Sequence, residues 1–147
     1  MDAACWRAVP AGHHAAVLDG TERAGRYNRP GQRTLYMSGS RAGVAAAMAR
    51  YGAAERTIVP LHVGADRLVD LRDPAACAAL GIDVATAGED WLAALHGGAE
   101  PATWRIADKA RGAGANGLID ASRRLPGAWH LVLFRWNEAD APVVKVG

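Results

Sequence analysis

The stretch that decides the fold runs over residues 25–52 and reads GRYNRPGQRTLYMSGSRAGVAAAMARYG. It holds a Pro-Gly pair at 30–31, a strand-like segment RTLYM at 33–37 and an alanine-rich segment after Ser40. Pro-Gly pairs mark turns, and a serine directly before such a segment is a typical helix N-cap. The stretch therefore predicts a turn, a strand and a helix over about 41–51, in that order.

The rest of the chain adds strands and helices on both sides. The predicted strands are CWRAV (5–9), RTIVPLHV (56–63), DRLVDL (66–71), NGLIDAS (116–122), AWHLVLFRW (128–136) and PVVKVG (142–147). The predicted helices are DPAACAALG (73–81), GEDWLAALHGG (88–98) and PATWRIADKARGAG (101–114). Because strands and helices do not alternate regularly, the pattern predicts an α+β fold with a mixed or antiparallel sheet and flanking helices. Pro60 lacks an amide proton, which predicts a sheet edge or a bulge at that position.

Length and composition set limits on the class of protein. The 147 residues fit one domain over 1–147, with 50% hydrophobic and 22% charged residues. The sequence has no run of about 18 apolar residues, so we expect no membrane span. The N-terminus MDAACWRAVPAGHH lacks the order of a signal peptide, so we expect a cytoplasmic protein. The net charge of +2 is too small to predict nucleic-acid binding.

Two motif classes are excluded. The two cysteines and five histidines show no metal-ligand spacing, so we expect no metal site and two buried free thiols, Cys5 and Cys77. The segment GAGANG (112–117) matches the dinucleotide-binding pattern, but a predicted helix precedes it and a strand follows. That pattern binds a pyrophosphate only between a strand and a helix, so this copy is interpreted as a helix stop and a turn.

Basic and aromatic residues cluster in the opening stretch. Arginines stand at 23, 26, 29 and 33, whereas the chain has only two lysines. Arginine forks match phosphate and carboxylate oxygens in pairs, so Arg26 suits an anionic group. Tyr27 and Tyr36 offer flat faces and hydroxyls for a heterocycle or a ribose, and Ser38 follows. Ser122 ends a later strand without a G-x-S-x-G elbow, so it is not predicted to be a hydrolase nucleophile.

Taken together, the blocks GRYN…LYMS (25–38) and GLIDASRRLPGAWHLVLF (117–134) resemble the RES domain family, named for an arginine, a glutamate and a serine. The resemblance covers most of the chain, from CWRAV to the VLF strand. It implies the toxin of a bacterial type II toxin–antitoxin pair, with a helix-turn-helix (Xre-type) antitoxin as partner. It also implies a fold similar to that of ADP-ribosyltransferase toxins, and consumption of NAD+ by degradation or by transfer of ADP-ribose to a protein.

The resemblance also implies a set of site residues. The family arginine falls on Arg26, the tyrosine of the LY strand on Tyr36, and the serine on Ser122. The family glutamate, about eleven residues past the tyrosine, falls on Ala47. The implied catalytic positions are thus Arg26, Tyr36, Ala47 and Ser122, and the residues expected to contact NAD+ are Arg26, Tyr27, Tyr36, Ser38 and Ser122.

Ala47 departs from the family pattern. Cleavage of the nicotinamide–ribose bond builds positive charge on the ribose, and a nearby carboxylate stabilises that charge. The chain is therefore expected to be weak or inactive, while it still binds NAD+. Three explanations stay open: a deliberate Glu-to-Ala change, a natural variant in which another acid takes over, or an alignment slip in which Glu55 serves instead.

The resemblance implies that water, phosphate or a protein side chain accepts the ADP-ribose, without a metal, nucleic acid or membrane. Two other functions stay open from the sequence. One is a ribonuclease toxin, against which the scattered histidines and the low net charge argue. The other is a pseudoenzyme that only binds its antitoxin.

Overall fold

The framework of the molecule is a seven-stranded sheet with the strand order β4-β5-β6-β2-β1-β3-β7. The computed structural model describes residues 1–52 and 55–147. The β4–β5 pair is parallel, and every other neighbouring pair is antiparallel. The predicted α+β fold with a mixed sheet is thereby confirmed. The strands are β1 (Asp2–Pro10), β2 (Leu35–Ser38), β3 (Arg56–Gly64), β4 (Leu68–Asp70), β5 (Gly117–Ala121), β6 (Trp129–Leu133) and β7 (Val143–Val146).

In the part of the chain that the structure describes, four α-helices flank the sheet, and the first begins directly after the predicted cap Ser40. They are α1 (Arg41–Met48), α2 (Pro74–Ala79), α3 (Trp91–His96) and α4 (Ala102–Gly112). The Ser40 hydroxyl accepts from the Gly43 amide at 2.9 Å and caps α1, which continues into a 3₁₀ turn over Ala49–Tyr51. Asp73 caps α2. No helix in the described part of the chain is long and apolar enough to cross a bilayer.

The two faces of the sheet carry separate apolar clusters, because side chains alternate along each strand. Leu118 and Val132 point to the face that packs against Ile106 and Ala110 of α4. Ile119, Leu131 and Leu133 point to the opposite face, where the larger cluster lies.

Two local predictions are met by the strand register. Strand β7 pairs with residues 61–64 of β3, so Pro60 lies where β3 loses its outer neighbour, as the missing amide proton predicts. Helix α4 ends at Gly112 and β5 begins at Gly117, so GAGANG joins a helix to a strand.

Helix α4 fixes the loop that precedes β2 by binding three consecutive backbone carbonyls. The Trp104 indole donates to the Gly25 carbonyl at 2.7 Å, and the Thr103 hydroxyl donates to the Arg26 carbonyl. The Arg111 guanidinium donates to the Tyr27 carbonyl at 3.2 Å. The conformation of this loop is therefore set by a helix about 80 residues further along the chain, as their separations of 77–84 residues indicate.

Gly25 is needed where the loop approaches β2. A Cβ at this position would lie 2.7 Å from the Tyr36 hydroxyl and 2.5 Å from Oδ1 of Asn28. These two groups are themselves hydrogen bonded at 2.6 Å, so neither moves without breaking that bond. The glycine therefore lets the loop backbone approach Tyr36 closely, and it also lines the cavity described below.

We expect Gly25→Ala to lower the free energy of unfolding by about 1–3 kcal/mol, because overpacking forces the loop and Tyr36 apart. Urea unfolding followed by tryptophan fluorescence measures this change. Gly112→Ala is the matched control, since a Cβ there meets no atom within 4 Å and alanine favours helix. Equal stability of Gly25→Ala and the parent would contradict the packing argument.

Candidate functional site

A cavity of about 570 Å³ opens on the sheet face that also carries α4. Its floor is built from side chains in register across neighbouring strands. His130 of β6 pairs with Ser38 of β2, which pairs with Trp6 of β1. Asp120 of β5 pairs with His130 and extends this row beyond the residues that line the cavity. The walls come from α1 and its 3₁₀ turn, the loop at 23–26 and the segment after β5.

The charge of the cavity wall is strongly one-sided. Among the described residues that line it, none is Asp or Glu, and six are arginines that come from four separate parts of the chain. Arginine stays protonated in proteins, so the wall presents fixed positive charge and suits an anionic ligand. The six are Arg7, Arg23, Arg26, Arg50, Arg123 and Arg124.

Every site residue that the sequence suggested lines this cavity, namely Arg26, Tyr27, Tyr36, Ser38, Ala47 and Ser122. Ala47 belongs to the wall formed by α1. Glu55 is exposed just before β3 and is not among the lining residues. Of the two positions considered for the glutamate, only Ala47 therefore faces the cavity.

Arg26 is held in place by the segment before α3. Its Nη1 donates to the Ala87 carbonyl at 3.0 Å and to the Glu89 carbonyl at 2.7 Å. Burial lowers the pKa of Arg26, and the nearby Arg123 charge lowers it further. The side chain is thus fixed inside the wall, with a second guanidinium close enough to repel it.

The two tyrosines differ in what they offer to a ligand. The Tyr36 hydroxyl accepts from the Tyr27 amide at 3.0 Å and donates to Oδ1 of Asn28 at 2.6 Å, so it braces the loop. Tyr27 is only 2% exposed, and its hydroxyl donates to Oδ2 of Asp120 at 2.5 Å. Burial raises the pKa of both hydroxyls, so both remain protonated donors. Contact of their rings with NAD+ stays a prediction.

An ion pair between a carboxylate and a guanidinium lies next to the Tyr27 hydroxyl. Asp120 is 4% exposed and accepts from Nη1 of Arg123 at 2.6 Å and from Nη2 at 3.1 Å. Such a two-point contact fixes the guanidinium plane as well as its position. Asp120 therefore joins Tyr27, in the loop before β2, to Arg123, in the segment after β5.

Ser38 and His130 form a second polar pair on the cavity floor. The Ser38 hydroxyl lies 2.7 Å from Nδ1 of His130. Burial lowers the pKa of His130 below its ordinary value, so the imidazole is neutral at neutral pH.

Ser122 has a local structural role in addition to its place in the wall. Its hydroxyl accepts from the Leu125 amide at 3.1 Å, which orders the turn after β5. The hydroxyl proton remains available to donate to a ligand.

Both cysteines are buried free thiols, as predicted, and burial raises the pKa of Cys5 to about 11. Within residues 1–52 and 55–147, no group of three or more His, Cys, Asp or Glu side chains could hold a metal ion.

Comparison with known families assigns the chain. The sequence profile described as the RES domain matches residues 4–147. The chain belongs to the RES family. A comparison with curated proteins finds no match. Among solved structures, a chain of the M. tuberculosis MbcT–MbcA toxin–antitoxin complex is similar in fold, with a TM-score of 0.65 and 18% sequence identity. The similarity covers 99% of this RES chain and 82% of that chain.

Sequence reasoning assigned no role to Asp120, Arg123 or His130 of this RES domain. Arg123 directly follows Ser122, but its geometry depends on Asp120, a buried carboxylate that also accepts from Tyr27. His130 meets Ser38 through the pairing of β6 with β2 across 92 residues, and a local sequence pattern carries no signal for that pairing.

The neutral His130 predicts a pH dependence of stability. Its folded pKa lies below the unfolded value of 6.5, so below that pH the unfolded chain takes up a proton that the folded chain resists. We expect the free energy of unfolding to fall from about pH 7.5 to about pH 5.5. His130→Asn, which keeps a polar group near Ser38 but does not titrate, should show a smaller fall.

Urea titrations of both proteins across this range measure the difference. Asp70 and Asp90 have lowered pKa values and lose their stabilising effect at still lower pH, but they do so equally in both proteins. Parallel stability curves for the parent and His130→Asn would contradict a buried neutral imidazole.

Proposed function

We propose that the chain is the toxin of a bacterial type II toxin–antitoxin pair, and that its active form consumes NAD+ by cleaving the nicotinamide–ribose bond. The observation that carries this proposal is the cavity, which is lined by six arginines, by aromatic side chains and, among the described residues, by no acid. NAD+ carries a diphosphate and two aromatic heterocycles, so its chemistry complements such a wall. Membership of the RES family supports the same reading.

The proposed reaction assigns a role to each predicted residue. Arg26 binds the diphosphate or the adjacent ribose as an anion clamp. Tyr27 and Tyr36 shape the pocket for nicotinamide and ribose, and Ser122 donates to the nicotinamide end. The bond to nicotinamide breaks with its electron pair passing to the nicotinamide ring, and the ribose carbon gains positive charge. Water, phosphate or a protein side chain then attacks that carbon.

The absence of an acid among the described lining residues explains why this chain is expected to be weak. Outside the lining, Asp120 pairs with Arg123 and Asp90 pairs with Arg50. The remaining arginine charge still opposes the formation of a cation in the cavity, unless a carboxylate offsets it locally. The family glutamate would project from position 47 of α1. With alanine there, the cavity still favours the anionic part of NAD+ but no longer favours the transition state.

An Xre-type antitoxin with a helix-turn-helix is the proposed protein partner. This part rests on the family and on the similar fold in the MbcT–MbcA toxin–antitoxin complex. A cellular protein remains one of the three proposed acceptors of ADP-ribose.

A pseudoenzyme that only binds its antitoxin is the second candidate. The observation that favours it is the alanine at position 47 in the cavity wall. The two candidates differ in what happens when an acid is restored there.

We expect Ala47→Glu to raise the rate of nicotinamide release from NAD+ by roughly 10²–10³-fold, the effect of one well-placed electrostatic contact on a transition state. Release is followed by chromatography in buffer, with added phosphate, and with cell extract, and the additive that accelerates it identifies the acceptor. Ala45→Glu is the matched control, because it adds the same charge to α1 at an exposed position outside the cavity lining.

In the Ala47→Glu background, Arg26→Ala and Tyr36→Phe should reduce release to near the level of the parent. If Ala47→Glu releases nicotinamide and both double variants release it at the same rate, the assignment of Arg26 and Tyr36 to the site is wrong. If no variant releases nicotinamide but the antitoxin still binds tightly, the pseudoenzyme is correct and the enzymatic proposal is wrong. RNA cleavage with NAD+ unchanged would instead indicate a ribonuclease.

A further inference from the structure

Two arginines reach the cavity from distant parts of the sequence, and each is held by acceptors of the protein itself. Arg26 comes from the loop before β2, and its Nη1 is bound by the carbonyls of Ala87 and Glu89. Arg123 follows β5, and its Nη1 and Nη2 are bound by the Asp120 carboxylate. Neither guanidinium is a freely moving surface group.

Both guanidinium groups keep unused donors. An arginine has five N–H groups, and the two on Nη1 of Arg26 match its two carbonyl partners. Within the described residues, Nε and both protons of Nη2 of Arg26 form no hydrogen bond. In the same part of the chain, Nη1 of Arg123 contacts Asp120 and the Ala121 carbonyl and one Nη2 proton contacts Asp120, which leaves Nε and the other Nη2 proton. An Nε–Nη2 edge is the part of arginine that binds two oxygens of one phosphate.

The relative position of the two arginines is fixed through Asp120. Besides Arg123, this carboxylate binds the hydroxyl of Tyr27, the residue next to Arg26. The backbone of Arg26 is itself tied to Thr103 of α4. One buried carboxylate thereby couples both arms of the site.

The two positive charges repel each other in the described structure. The Arg123 charge follows burial as the second cause that lowers the pKa of Arg26. The Asp120 charge offsets part of this repulsion, but Asp120 is shared between Arg123 and Tyr27, and no described Asp or Glu lines the cavity. An anion with two charged groups, bound between the guanidiniums, would offset the rest.

We propose that Arg123, positioned by the buried Asp120, is the second arm of a two-arginine clamp with Arg26 that binds the diphosphate of a dinucleotide. The inference deepens the proposed function and rests on it for the identity of the dinucleotide as NAD+. Arg123 is a binding residue in this account, and Asp120 is a positioning residue that acts through it.

Binding to the chain as it stands tests the clamp, because Ala47 limits turnover. Calorimetric titration with ADP-ribose, pyrophosphate and adenosine separates the diphosphate from the rest of the ligand. We expect ADP-ribose and pyrophosphate to compete, and Arg123→Lys to weaken both by about tenfold or more while adenosine binding is unchanged. Lysine keeps a charge beside Asp120 but loses the second edge of the fork.

Arg72→Lys is the matched control. Arg72 also makes a two-point contact with a carboxylate, through Nε and Nη2 to Asp70 at 2.9 and 2.8 Å, but it does not line the cavity. Its substitution should leave ADP-ribose affinity unchanged. Asp120→Asn, which still accepts from Tyr27 but loses the charge that orients Arg123, should weaken ADP-ribose and pyrophosphate while adenosine binding is unchanged, with thermal melting used to confirm folding.

The outcomes separate this inference from the proposed function. Unchanged ADP-ribose affinity in a folded Arg123→Lys protein overturns the clamp, even if Ala47→Glu consumes NAD+. An equal loss of affinity on Arg123→Lys and on Arg72→Lys overturns it too, since the effect is then not specific to the cavity. Arg123-dependent binding of pyrophosphate supports the clamp even if Ala47→Glu releases no nicotinamide, in which case the proposed reaction fails alone.

Discussion

The candidate site depends on the binding of three backbone carbonyls by side chains of α4. Trp104, Thr103 and Arg111 hold the carbonyls of residues 25–27, and the loop before β2 can then present Arg26 and Tyr27 to the cavity. Buried carbonyls need donors, and here a distant helix supplies them, so the loop has one conformation without being part of the sheet. The rest of the site is assembled on this fixed loop, through Tyr36, Asn28 and Asp120.

The electrostatics of the cavity follow from where the acids lie. Asp120 is buried outside the cavity lining, where it binds Tyr27 and Arg123. The ion pair with Arg123 neutralises its charge. The arginines of the lining therefore face the interior of the cavity with no described carboxylate among them. Under the proposed function, such a cavity favours an anionic ligand over a developing cation, and alanine at position 47 would then separate ligand binding from catalysis.

Features that depend on interactions between residues close in sequence could be predicted. The cap at Ser40, the alternating strands and the glycine stop after α4 depend on neighbours a few residues apart, and all of them were predicted. The site residues 26, 36, 47 and 122 came from a resemblance, and the fold brings them to one cavity. Contacts between distant parts of the chain determined the rest. The Ser38–His130 contact exists only because β6 and β2 are adjacent, and Tyr27 meets Asp120 across 93 residues.

The most direct test is a crystal structure of this chain soaked or grown with NAD+. With alanine at position 47, the chain should leave the bound NAD+ uncleaved. We expect the dinucleotide to bind in the cavity over β6, β2 and β1. Its diphosphate should lie between Arg26 and Arg123, and its nicotinamide ribose should lie beside Ala47. An NAD+ molecule bound elsewhere, or a cavity that stays empty at saturating NAD+, would contradict this expectation.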